Sequence, residues 1–173
     1  LEAFDARSAM GSVVFERGLG VAGPASFSVG QDLVFSGDAL FYGPLSATRV
    51  GRTLDSRTRL QVGGDLNLDI TGDFVSEGLL QSTGGVRILA RNITANLSRA
   101  GGIVANGDIE LVARDQGQLG AQGSMSSSGG SILLSASRFI NAGDVLPGGA
   151  GFAFSGGSLR NAGRIAADSV RVA

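Results

Sequence analysis

Apolar residues recur along this chain in pairs, with one residue between the members and usually a glycine just before. The pairs are Leu66/Leu68, Val86/Ile88, Ile109/Leu111, Ile132/Leu134, Phe152/Phe154 and Val170/Val172, a near-regular beat along the second half of the chain. A second phrase runs between them. Leu119 to Met125 is followed by Phe139 to Val145 and by Leu159 to Ile165, each with an apolar residue, a glycine four positions on and a second apolar residue two beyond that. The same phrase extends backward as Phe74 to Leu80, and as Leu97 to Ile103 with one extra residue. Alternation over such short runs is the period of a half-buried strand. Two strand signals per unit, separated by Gly, Asn, Ser and Asp, predict two or three short strands and tight turns in each repeat. No window sustains apolar residues at helical spacing, and frequent glycine opposes a helix further.

Self-similarity at a fixed short period marks a repeat architecture, in which each unit buries its apolar face against its neighbours. Leucine-rich repeats share this length but need a Leu-x-x-Leu-x-Leu pattern that is absent, and propeller blades are about twice as long. A single-stranded parallel β-helix with coils of about 20–23 residues remains. Its coils stack at the inter-strand spacing of roughly 4.8 Å, so seven or eight of them make a rod on the order of 35–40 Å long. The predicted interior ladder is Leu66, Val86, Ile109 and Ile132, with Leu68, Ile88, Leu111 and Leu134 beside it.

One stretch departs from the rhythm. Val13/Phe15 and Leu33/Phe35 are pairs at an offset of 20, yet the next clear pair, Leu66/Leu68, comes well beyond where another such offset would place it. This predicts a single domain over residues 1–173, carrying an extra-helical loop or hairpin of roughly a dozen residues within about 40–59. The stretch holds Arg49, Arg52, Arg57 and Arg59 against a lone Asp55. Guanidinium groups bind sulfate and carboxylate in bidentate fashion, so a glycan site on that insertion is one expectation. A solvated loop that covers one side of the rod is the other.

Composition limits the chemistry. Among 173 residues there are 29 glycines and 3 prolines, and the glycines sit at turns rather than in a linker. All 14 basic residues are arginine, and histidine, cysteine and tryptophan are absent. Without histidine or cysteine there is no Ser-His or Cys-His nucleophile pair and no ordinary zinc site. A net charge of −1 gives no reason to expect nucleic acid or a lipid surface as partner, and no apolar run is long enough for a transmembrane helix. Enzymatic activity, cofactors and metals are not expected. Asp65, Asp69 and Asp73 form the most concentrated acidic set; a solvated outer face and a weak calcium site are both compatible with it. Asn92-Ile-Thr94 and Asn96-Leu-Ser98 match the glycosylation sequon. Asn141 and Asn161 share one repeat position, where they would form a short ladder or sit at turns.

The segments Phe139-Ile-Asn-Ala-Gly-Asp-Val145, Leu159-Arg-Asn-Ala-Gly-Arg-Ile165 and Gly63-Gly-Asp-Leu-Asn-Leu68 resemble the repeats of filamentous haemagglutinin-type exoproteins of two-partner secretion, a group of adhesins and contact-dependent inhibition toxins. The resemblance covers residues 60–173 well and 1–45 loosely. It implies a right-handed β-helical shaft, carried out through an outer-membrane two-partner secretion transporter and displayed at the bacterial cell surface. The Asn-Pro-Asn motif of the family's secretion domain is absent, so an internal shaft segment is expected, acting in adhesion or in presenting a distal tip. A host glycan or receptor is the expected partner. A glycan-binding module on the arginine-rich stretch is the alternative, and a polysaccharide lyase or hydrolase a more distant one.

Overall fold

A computed structural model describes residues 3–95, 102–115, 117–149 and 151–173, apart from the side chains of Thr48, Arg49 and Leu54. The described residues contain strands and turns and no helix. Every strand pairing is parallel, and the chain winds through about eight turns of a β-solenoid. Each turn lays one strand on each of three faces.

On the first face Phe4 pairs with Ala25, Ala25 with Leu45, Leu45 with Leu66, Leu66 with Val86, Val86 with Ile109, Ile109 with Ile132, Ile132 with Phe152 and Phe152 with Val170. The second face runs Val13, Leu33, Leu54, Phe74, Ile93, Leu119, Phe139 and Leu159. The third runs Leu19, Ala39, Leu60, Leu80, Ile103, Met125, Val145 and Ile165. In the two strands Ile132–Asn141 and Phe152–Asn161 the first and second faces join without a break.

The period-two alternation follows directly from strand geometry, which sends successive side chains to opposite faces. Leu66, Leu68, Val86, Ile88, Ile109, Leu111, Ile132 and Leu134 all point inward, with at most 3% of their surface exposed. The interior changes along the axis. Phe15 and Phe35 stack at 5.4 Å and 8°, while Phe27 meets Phe35 and Phe41 edge-on at 5.8 and 6.1 Å. Further along the axis, inner positions hold Ala95, Ala105 and Ala121 instead. Corners are tight enough to require glycine: a Cβ on Gly43 would lie 2.7 Å from the carbonyl carbon of Gly23 in the turn before.

The register overturns the expectation of an insertion within 40–59. Leu45–Val50 and Thr53–Ser56 are ordinary strands of the first and second faces, and Ala39–Phe41 and Leu60–Val62 flank them on the third. Leu33/Phe35 belongs to the second face and Leu66/Leu68 to the first, so the long gap compared positions on different faces. The first-face predecessor of Leu66/Leu68 is Leu45/Ala47, one ordinary turn earlier. Ala47, 1% exposed, is too small to register as an apolar beat.

A larger departure lies later. Ile93 pairs with Leu119, the longest step between successive turns of the second face. Part of that excess falls in the corner after Ala113, where Asp115 adopts φ 50°, a conformation L-residues visit at some cost. The phrase assigned to Leu97–Ile103 also shifts: the partner of Phe74 is Ile93, and Leu97 lies outside the described residues.

Candidate binding surfaces

Of the four arginines singled out from the sequence, the three with described side chains do not converge. Arg52 sits at the corner between the first and second faces, and Arg57 and Arg59 at the corner between the second and third, with the strand Thr53–Ser56 between them. The side chain of Arg49 is outside the described residues. Arg57 Nε donates to Asp55 Oδ2 at 2.8 Å, and this bond raises the guanidinium's affinity for its proton. Arg52 lies 3.7 Å from Asp32 in the turn before.

Asp65, Asp69 and Asp73 also separate. Asp65 Oδ1 accepts from the backbone N–H of Gly85 in the next turn at 2.8 Å, and Asp108 Oδ1 does the same for Ser131 at 2.7 Å. Asp69 reaches two turns forward to Arg114 at 2.7 Å. Asp73 is held by Arg91 through two hydrogen bonds of 3.0 and 2.8 Å and by Asn92 Nδ2 at 2.9 Å. The Arg91 bonds come first among the causes that hold the Asp73 carboxyl below its ordinary value, against the opposing pull of burial. Among the described residues no three acidic side chains are grouped as a metal would need.

Apart from Arg57–Asp55, which lies within one turn, these contacts share one logic. Charged and amide side chains on the outer face of one turn bind the turn above or below, as Arg87 and Glu110 do at 2.8 Å. Asn92 belongs to this system, because its Oδ1 also accepts from the N–H of Gln118 at 3.0 Å, so the first sequon's asparagine is engaged on both sides. The second sequon, at Asn96, lies outside the described residues. Asn141, fully buried, donates to Asn161 Oδ1 at 2.8 Å and exchanges bonds with the backbone of Gly143. The shared repeat position is therefore a short asparagine ladder inside the second face.

One outer surface has polar capacity left over. On the second face the outward positions read Val75, Thr94, Gly120 and Ile140 in successive turns, and beside them run Asp73, Asn92, Gln118 and Arg138. A Cβ built on Gly120 would meet nothing within 4 Å, so this glycine opens a notch rather than relieving a clash. The notch belongs to a groove of about 430 Å³ lined by Asp73, Asn92 and Gln118 on one side and by Val75, Thr94, Gly120 and Ile140 on the other, and Arg138 stands one turn beyond Gln118. Sequence reasoning passed over it because Gly120 reads as one more turn glycine. The available signal was its place in the middle of a strand, where glycine marks close approach or missing bulk.

Comparison with family models, with curated protein sequences and with solved structures finds no match for this chain.

Proposed function

We propose that this chain is a shaft: a stiff β-solenoid segment of a large secreted bacterial exoprotein of the filamentous haemagglutinin type, holding other parts of its parent away from the cell surface. The observation that carries this is the run of three interior ladders through about eight turns, with one register shift between Asp69 and Ile70, and with ion pairs such as Arg87–Glu110, Arg91–Asp73 and Arg114–Asp69 joining the turns from outside. Such a stack transmits load along its axis through backbone hydrogen bonds, and its interior is filled with apolar side chains. The parent would leave the cell through an outer-membrane two-partner transporter and act in adhesion or tip presentation. A non-enzymatic role fits a chain without histidine or cysteine whose most concentrated carboxylates are tied to arginines and backbone amides. A glycan-binding module built on Arg49, Arg52, Arg57 and Arg59 is not carried forward, because the described members of that set are spread over two corners.

The test exploits the absence of cysteine. Spin labels at Ser12→Cys and Ser158→Cys share one outer column, seven turns apart. A stiff shaft predicts one narrow inter-label distance of about 34 Å, seven strand spacings of about 4.8 Å. A broad distribution that shifts with temperature contradicts the proposal.

A further inference from the structure

The second-face groove combines three chemistries that the stack does not consume. The first is a hydrogen-bonding column. Asp73 accepts three bonds from Arg91 and Asn92, and an ionised carboxylate has about four acceptor positions, so one remains. Gln118 is exposed, and its side-chain amide has no partner among the described residues. The second is charge. Arg138 stands directly above Gln118 in the same column, exposed and without an ion pair among the described residues. Six other arginines, including Arg87, Arg91 and Arg114, are paired. The third is an apolar wall of Val75, the Thr94 methyl and Ile140, interrupted by the Gly120 notch.

Asp73 and Arg138 stand three strand spacings apart, about 14 Å, so a short chain of sugar rings with hydroxyls on one edge, a carbon-bound apolar face and a carboxylate at the Arg138 end matches this set. The hydroxyls meet Gln118 and Asp73, the apolar face lies on Ile140 and Val75 over Gly120, and the carboxylate takes the fork of Arg138. The groove lies on a sheet face, away from any strand edge, so a peptide cannot add to it through its backbone. Asp73 at the far end opposes a ligand carrying several negative charges per ring, which disfavours heavily sulfated chains.

We propose that the groove between Asp73–Asn92–Gln118 and Val75–Thr94–Gly120–Ile140, with Arg138 in the turn beyond Gln118, is a binding site for a uronic-acid saccharide. The site stands apart from the shaft reading: failure to bind would leave the inter-label distance unchanged.

Isothermal titration calorimetry of the full chain at low salt, with a tetrasaccharide of galacturonic acid and its neutral galactose counterpart, tests this. The uronate is expected to bind at least about tenfold more tightly than the neutral sugar, which is the difference one charge-assisted pair supplies. Arg138→Gln is expected to reduce uronate affinity to the neutral level. Gly120→Val fills the notch and is expected to abolish binding with the melting temperature unchanged. Gly20→Val is the control, because Gly20 also faces open space, on the third face, and it should bind as the parent does. No heat with the uronate, equal affinity for the neutral sugar, or parental binding by Gly120→Val would each overturn the proposal. Binding of heparin that persists in Arg138→Gln, with no uronate binding, overturns it equally.

Discussion

Ile109 lies between Val86 and Ile132 on the inner row of the first face and has no exposed surface. A carboxylate there would be buried without a partner, and such groups are among the few single changes that remove a domain's stability outright. Ile109→Asp is expected to cost on the order of 4 kcal/mol or more, read as loss of the cooperative thermal transition; a melting curve like the parent's would refute the ladder assignment. Asp73 gives a milder, pH-dependent effect. Its folded value is lowered, chiefly by hydrogen bonds from Arg91. The stability it contributes is therefore present above the unfolded carboxylate value of about 3.9 and is lost as pH falls through the lower folded value. Asp73→Asn should melt below the parent at about pH 6, and the difference should shrink towards about pH 2. A difference independent of pH would mean that the Arg91 pair does not contribute. These pairings were not legible in advance: Asp73 and Arg91, like Asp69 and Arg114, stand far apart in the chain, and their separations acquire meaning only once the coil length and register are known.

At the scale of the element, alternation located strands well where both inner residues are large. Leu66/Leu68 through Ile132/Leu134 is such a run, and its pairing follows the offsets of the sequence. The alternation fades where an inner residue is small. Ala25, Ala47 and Ser56 are inner positions with little hydrophobic signal, and without them a regular turn reads as an insertion. Distinguishing the two by substitution is direct. Ala47 pairs with Phe27 and Leu68 and is 1% exposed. Ala47→Asp should lower the melting temperature strongly, whereas in a solvated loop the same change would pass with little effect. The groove was illegible for a different reason. A strand glycine that opens a surface and a turn glycine that avoids a clash look alike in sequence, and only the neighbouring turns separate Gly120 from Gly43.

For the whole molecule, a solenoid has nearest-neighbour energetics, since each turn contacts chiefly the turns on either side. Turns can therefore be added without redesigning the rest. Duplicating residues 66–85 inserts one turn in register on all three faces, because Leu66 pairs with Val86, Phe74 with Ile93 and Leu80 with Ile103. Small-angle X-ray scattering of the parent and the duplicated chain tests the continuous three-faced stack most directly. The predicted result is an unchanged cross-section and a maximum dimension longer by about 4.8 Å, one strand spacing. Growth in cross-section at constant length, or an expanded chain without a rod-like profile, would contradict it.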